Sequence, residues 1–187
     1  KLDMPFGGTV TIDDVQSGQT AAAFGGTTCN VDLIIQSKGQ SFAAAVDDWR
    51  AKAAGKQVID MGYHMAVTDL KEGGTLEELA TLPDQGITSY KLFMAYKGVF
   101  LSADGQITKA IQHSASHASM IIMPAQNGSV LDLVVQQAAA PANPSPYFSR
   151  LPSPPHAAGA TPHTPTSLAP PPRTPPTPRP PRDPARV

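Results

Sequence analysis

The sequence has little of what disulfide-stabilised, membrane-spanning and nucleic-acid-binding proteins require. It contains one cysteine in 187 residues, so it can form neither an intrachain disulfide nor a multi-thiolate metal site. No stretch approaches the ~20 consecutive apolar residues of a membrane span. Its start lacks a secretory signal, and 14 Lys+Arg against 15 Asp+Glu leave no basic face for phosphates. These absences favour a cytoplasmic protein that binds neither membranes nor nucleic acid.

Proline and glycine divide the chain into two unlike parts. Of the 20 prolines, 17 lie in residues 141–187, whereas 14 of the 15 glycines lie in residues 1–140. The net charge is −5 in the first part and +4 in the second. We therefore predict a folded domain over 1–140 and a disordered tail, largely polyproline II, over 141–187. Because the sequence opens at Lys1 without an initiator methionine, we expect an incomplete N-terminus.

The first part alternates between helical and extended patterns. Apolar periodicity and end signals predict helices over 11–24, 41–54, 75–82, 106–118 and 128–139. Apolar runs between them predict strands over 27–36, 58–67, 87–95 and 120–125. Such alternation is typical of parallel strands, as in a doubly wound sheet or a (β/α)8 barrel. Since a complete barrel needs ~250 residues, we expect about half of one here.

Local signals refine this prediction. Thr11 is the expected N-cap of the first helix, and Thr75 with Glu78 is typical of a capping box. Cys29 lies in the first predicted strand, where we expect a small buried side chain.

Lys91 is the most informative residue of the predicted strands. It lies mid-strand among apolar neighbours and shares a face with Ser89 and Phe93 by two-residue alternation. A buried amine would favour its neutral form and could act as a base, a Schiff-base former or a carbamate former. Alternatively, Lys91 ends the strand and extends its ammonium group into water.

A set of motifs in a fixed order resembles one enzyme family. The segment Tyr90–Lys97, which reads YKLFMAYK, is similar to a signature of the dihydropyrimidinase and D-hydantoinase family of cyclic amidohydrolases. Further similarity lies in residues 2–8, 21–28, 38–41, 49–50 and 63–68. The resemblance covers residues 1–137 and is closest to bacterial members.

This resemblance implies a (β/α)8 barrel that opens dihydropyrimidine or hydantoin rings, such as dihydrouracil, to N-carbamoyl amino acids. It implies two Zn²⁺ ions bridged by a carboxylated lysine, which corresponds to Lys91, and a tetrameric assembly. Tyr96 corresponds to the tyrosine that stabilises the oxyanion. Phe6, Phe93 and Phe100 correspond to residues around the exocyclic group of the substrate, although ordinary packing explains Phe93 equally well.

Several positions depart from the family pattern. Lys1 and Pro124 stand where metal-binding histidines are expected, and Gln126 and Ser129 replace two carboxylates. Further ligands belong to later strands of the family. Lys91 alone of six expected ligands remains, so we expect no zinc binding and no hydrolysis by this chain alone.

Two hypotheses of different classes therefore stay open. The chain is either a fragment of a zinc-dependent cyclic amidase or a non-catalytic, dihydropyrimidinase-like scaffold. Retention of Lys91 and Tyr96 favours the first. His113 and His117, four residues apart on a predicted helix, could hold a metal, but a surface helix explains them better. His64 is expected to be a packed, hydrogen-bonded histidine.

Overall fold

In the part of the chain that the computed structural model describes, residues 1–6 and 8–138, helices and strands alternate. A short antiparallel hairpin, β1 (Pro5–Phe6) and β2 (Thr9–Val10), comes first. The strands that follow are β3 (Cys29–Ile35), β4 (Asp60–Ala66), β5 (Ser89–Lys91) and β6 (Met120–Ile122). The helices are α1 (Val15–Phe24), α2 (Phe42–Ala53), α3 (Thr75–Glu78), α4 (Asp104–Ser116) and α5 (Gly128–Ala138). Two 3-10 turns, Leu79–Thr81 and Pro83–Gln85, connect α3 to β5.

The four strands β3 to β6 form one parallel sheet in which their spatial order is their order along the chain. A doubly wound sheet reverses its strand order partway across, because its helices cover both faces. In a (β/α)8 barrel the order does not reverse, because each helix connects a strand to the strand directly beside it. The predicted partial (β/α)8 barrel is therefore confirmed.

The two faces of this sheet are packed differently. Ile34, Met65 and Tyr90 point to the helical side, where they form the main core with residues of α2 and α4 and of the turn after α3. The opposite face, which is the inner side of a barrel wall, carries a smaller cluster of Leu33, Ala66 and Phe93. Residues of alternate parity thus separate the helix-packed core from the inner face.

Helix α2 shows how the sequence builds the larger core. The Ser41 hydroxyl accepts a hydrogen bond from the Ala44 amide and begins the helix. Phe42, Val46 and Trp49 then form its buried stripe. The Glu78 carboxylate accepts a 2.6 Å hydrogen bond from the Phe42 amide, which ties α3 to the start of α2.

Two predicted helix caps are wrong, although α3 begins at Thr75 as predicted. Asp14 is the N-cap of α1, since its carboxylate accepts a 2.8 Å hydrogen bond from the Ser17 amide. The Thr11 hydroxyl accepts a hydrogen bond from the Met4 amide instead. The Thr75–Glu78 capping box does not form, because Glu78 is bound to α2. The Glu77 carboxylate takes the role expected of Glu78 and accepts hydrogen bonds from the amides of Gly73 and Gly74, just before α3.

Two strand predictions also differ from the structure. Strand β5 ends at Lys91 rather than continuing to residue 95, so Lys91 is a strand-end residue. Cys29 is exposed, since it is the first residue of β3 and lies before the buried half of that strand. The predicted tail, 141–187, lies outside the described residues. Within 1–6 and 8–138, no helix is long and apolar enough to cross a membrane.

Candidate active site

A cavity of about 280 Å³ opens at the carboxyl ends of the parallel strands. Lys91, the last residue of β5, lies in its wall, as does Ile35, the last residue of β3. Pro124 and Gln126, from the segment after β6, close another side. This is the end of the strands at which parallel α/β folds place their catalytic loops.

Three aromatic rings from the segment after β5 line the cavity. Phe93 and Phe100 are stacked with ring centroids 5.0 Å apart, and Tyr96 meets each of them edge-on at 6.1 Å. Phe93 is 6% exposed, whereas Tyr96 is 52% exposed at the mouth. We call Phe93, Tyr96 and Phe100 the aromatic cluster. Its faces offer a flat apolar surface to a ring-shaped ligand.

A tight turn holds the aromatic cluster together. Tyr96 has a positive φ of 67°, and its carbonyl oxygen accepts hydrogen bonds from the amides of Val99, Phe100 and Leu101. A left-handed conformation in a tyrosine costs about 1–3 kcal/mol and is found mainly at functional sites. The turn returns Phe100 to the ring of Phe93, and a parallel bridge joins Phe93 to Leu101.

The Lys91 amine lies among these apolar groups with one nearby cation. Its Nζ atom is 4.9 Å from the ring centroid of Phe93. Burial lowers the pKa of the Lys91 amine below its usual value, and the positive charge of Lys1 lowers it further. The structure combines parts of the two readings that the sequence allowed: Lys91 ends β5, as in the second, and is half-buried in the wall of a cavity, which is closer to the first.

Strand register places a second polar pair on the same inner face. Leu33 is the register partner of His64, and Ala66 that of Lys91, so His64 and Ser89 lie one layer below the cavity. The Nδ1 atom of His64 is hydrogen-bonded to the Ser89 hydroxyl, which confirms the predicted hydrogen-bonded histidine. Two-residue alternation had placed Ser89 on the face of Lys91, but it did not identify the serine as the partner of His64.

The predicted residues come together only in part. Lys91, Phe93, Tyr96 and Phe100 line one cavity, as the resemblance implied. The side chain of Phe6 lies outside the part of the chain that the structure describes. Sequence reasoning missed five apolar lining residues, Met4, Leu33, Ile35, Met94 and Ala95. By two-residue alternation, Leu33 and Ile35 lie on the same face of the sheet as Lys91. This alternation was the signal from which their place in the cavity could have been predicted.

Zinc does not fit the donor groups around Lys91. The polar side chains lining the cavity are two lysines, Tyr96 and Gln126, whereas zinc prefers imidazole, thiolate and carboxylate ligands. Two amines would also repel a dication when protonated. Lys1, Pro124 and Gln126, the positions where the resemblance expects metal ligands or their partners, all lie in this wall. Among residues 1–6 and 8–138, no group of three or more His, Cys, Asp or Glu side chains could hold a metal ion.

His113 of α4 and His117, the residue that follows the helix, lie close together and do not line this cavity. The ring centroids of His113 and His117 are 4.6 Å apart, and the Nδ1 atom of His117 is 2.9 Å from the His113 carbonyl oxygen. This hydrogen bond at the end of the helix uses the Nδ1 atom of His117. The pair is thus a packed feature of the end of α4.

Helix α5 approaches the aromatic segment very closely. A Cβ atom added to Gly128 would lie 2.5 Å from the Met94 carbonyl oxygen and 3.1 Å from the Ala95 Cα. The Asn127 side chain accepts a hydrogen bond from the Val130 amide and begins the helix there. The absence of a side chain at 128 therefore lets α5 rest against the backbone that leads to Tyr96.

Comparison with known proteins gives a consistent set of relatives. The chain is 48% identical over 147 residues to a D-hydantoinase of Streptomyces coelicolor, which covers 79% of this chain and 31% of that protein. It is 41% identical over 159 residues to a D-hydantoinase of Geobacillus stearothermophilus, covering 84% of this chain and 34% of the relative. No protein-family profile matches the chain.

Solved structures agree with these sequence relatives. The crystal structure of a dihydropyrimidinase from Brevibacillus agri matches with a TM-score of 0.84 and 43% identity, over 89% of this chain and 36% of that one. A D-hydantoinase from a Bacillus species matches with a TM-score of 0.85 and 42% identity, over the same 89% and 36%. The chain thus spans about a third of the length of the proteins it matches.

Proposed function

The chain is a homologue of the D-hydantoinases and dihydropyrimidinases, of which it covers about a third, and from this premise we propose that it is the ring-binding part of a cyclic amide hydrolase. Its ligands would be hydantoins and dihydropyrimidines such as dihydrouracil. The observation that carries this proposal is the convergence of Lys91 and the aromatic cluster on one cavity at the carboxyl ends of the strands.

The cavity has the size and surface that a substituted cyclic amide needs. Its volume of about 280 Å³ is close to the lower end of ordinary ligand sites. The stacked rings of Phe93 and Phe100 would hold an aromatic or aliphatic substituent of the ring by apolar contact. Tyr96, at the mouth, would direct its hydroxyl to a ring carbonyl.

Tyr96 is the chain's best candidate for stabilising negative charge on that carbonyl. A phenol hydroxyl donates one hydrogen bond, and a donor placed where charge develops lowers the barrier to amide attack. The three amides that bind the Tyr96 carbonyl oxygen hold its backbone in the left-handed conformation, which fixes where the ring begins. Orientation by the backbone reduces the entropy lost when substrate binds.

Zinc would supply the attacking hydroxide in such a hydrolase, through lysine carboxylation and several histidines. Since the donor groups around Lys91 do not fit zinc, we propose that this chain alone binds the ring without opening it. An assembled enzyme of this kind would be a homotetramer, as the resemblance implies, and cytoplasmic, as the single cysteine indicates.

A non-catalytic scaffold is the second candidate. It is favoured by one observation, namely that Lys1, Pro124 and Gln126 line the cavity at positions where the resemblance expects metal ligands or groups that orient them. A defined tetramer in native mass spectrometry, with no binding of cyclic amides, would favour the scaffold over the ring-binding part.

We expect the chain to bind 5-phenylhydantoin. The variant Phe100→Ala removes one of the stacked rings and should bind the ligand about tenfold more weakly, a loss of about 1.4 kcal/mol of binding free energy. Saturation-transfer NMR on the ligand, titrated with the full chain, measures this affinity. Phe24→Ala is the matched control, since Phe24 is 92% exposed on α1 and is not among the residues that line the cavity. Equal affinities of the two variants would contradict the assignment of this cavity as the ring site.

A further inference from the structure

We propose that residues 170–181 of this chain dock as a polyproline II segment on an apolar groove beside the ring cavity of the same molecule. This intramolecular surface goes beyond the proposed binding of cyclic amides. We call it the Trp49 groove, and its apolar lining consists of Pro5, Ile35, Trp49, Val99 and Phe100.

The Trp49 groove is open at the surface of the molecule. It encloses about 370 Å³ and shares Ile35 and Phe100 with the ring cavity. The Lys38 Nζ atom donates a 2.9 Å hydrogen bond to the Gly98 carbonyl oxygen, which joins the segments after β3 and β5 that form two of its walls. Val99 remains 54% exposed. Exposed apolar side chains at the rim of a groove are typical of a surface that binds another segment of protein.

Trp49 offers this groove an unused hydrogen-bond donor. Its side chain is 8% exposed, and among the described residues its buried Nε1 atom has no hydrogen-bond partner. A buried donor left without an acceptor costs about 1–3 kcal/mol, so buried indole N–H groups are normally paired. A backbone carbonyl oxygen of a segment bound in the groove would supply the missing acceptor.

The sequence supplies a segment of matching chemistry. Residues 170–181 read PPPRTPPTPRPP, with eight prolines in twelve positions, and this composition predicts polyproline II. The carbonyl oxygens of that conformation have no internal hydrogen bonds, and its proline rings fit the aromatic-lined grooves that bind such segments. Because proline has no backbone N–H, the same segment is a poor partner for the open edges of β3 and β6. The Trp49 groove is therefore the surface that suits it.

Chain length and charge favour docking within one molecule. Helix α5 begins at Gly128, close to the segment that leads to Tyr96, and ends at Ala138, about 16 Å further on. The 31 residues from 139 to 169 then precede the proline-rich segment. Linkers of this length have mean end-to-end distances of roughly 30 Å, enough to return to the groove at a high effective concentration. The net charge of −5 in residues 1–140 also attracts the net charge of +4 in residues 141–187.

The test is photo-crosslinking of the full chain at low micromolar concentration, with p-benzoylphenylalanine in place of Val99. The control carries the same group in place of Val58, which is 50% exposed and does not line the groove. We expect the Val99 position to crosslink to residues 170–181 of its own chain roughly tenfold more efficiently than the Val58 position. Peptide mass mapping of the monomer band measures both yields.

Two matched pairs of proline substitutions test which part of the tail binds. Changing Pro175 and Pro178 to alanine should lower the yield from the Val99 position about tenfold, because it removes two rings and loosens the polyproline II conformation. Changing Pro152 and Pro155, which have the same spacing, should leave that yield unchanged.

Equal yields from the Val99 and Val58 positions would overturn the proposal, as would crosslinks outside residues 170–181 or crosslinks found only in dimers. None of the changed residues belongs to the core clusters, so every variant should keep the fold. No cyclic amide is present in the test, so its result is independent of the binding of 5-phenylhydantoin.

Discussion

Replacing Phe42 with alanine is expected to lower the free energy of unfolding by about 3–5 kcal/mol, the cost of removing a buried aromatic ring from a packed core. Phe42 is 0% exposed and packs in the main core between α2 and the helical face of the sheet. Because small domains have only about 5–15 kcal/mol of stability, this change removes a large part of it.

Phe24→Ala is the matched control for this prediction. Phe24 ends α1 and is 92% exposed, so its removal should change the free energy of unfolding by less than about 0.5 kcal/mol. Urea unfolding followed by the fluorescence of Trp49, the single tryptophan, measures both variants. Similar losses in the two variants would show that α2 does not pack on the sheet as described.

Gly128→Ala should destabilise the chain by about 1–3 kcal/mol, which is typical of overpacking a close contact. The new Cβ would lie 2.5 Å from the Met94 carbonyl oxygen, so α5 must move away from the segment that leads to Tyr96. The same variant should weaken binding of 5-phenylhydantoin, because that segment carries the aromatic cluster. Urea unfolding and ligand titration measure the two effects.

Gly105→Ala provides the comparison within another helix. A Cβ at Gly105 meets nothing within 4 Å, and Gly105 lies in the first turn of α4. Alanine there should stabilise the chain by about 0.5 kcal/mol, since it restricts the unfolded chain more than glycine does. If Gly128→Ala also proved neutral or stabilising, α5 would not rest on the Met94–Ala95 backbone.

The fold could be predicted where short-range signals agree with the tertiary contacts. Helix α2 was predicted closely because its Ser41 cap and its apolar stripe are local features. The capping of α3 was not, since Glu78, the expected capping residue, accepts its hydrogen bond from the amide of Phe42, 36 residues away along the chain. The end of β5 was also missed, because the apolar run continues to Ala95, four residues beyond Lys91, the last residue of the strand.

The candidate site was predictable in its residues but not in its surroundings. Motif resemblance grouped Lys91, Phe93, Tyr96 and Phe100, and the structure brings these four around one cavity. Another part of its wall comes from Lys1 and Met4, and the segment that carries them is bound to β3 by the Leu2 amide, which donates to the Asp32 carboxylate 30 residues away in sequence. The stacking of Phe93 on Phe100 depends on the left-handed turn at Tyr96, a conformation that tyrosine rarely adopts.

The most direct test of the account is the zinc content per chain of purified protein grown with zinc, followed on the same sample by dihydrouracil hydrolysis and 5-phenylhydantoin binding. We predict binding of the hydantoin, with no stoichiometric zinc and no turnover, because Lys91 is surrounded by groups that do not bind zinc. About two zinc ions per chain together with hydrolysis would contradict the account. Ligands beyond the described residues would then complete the site.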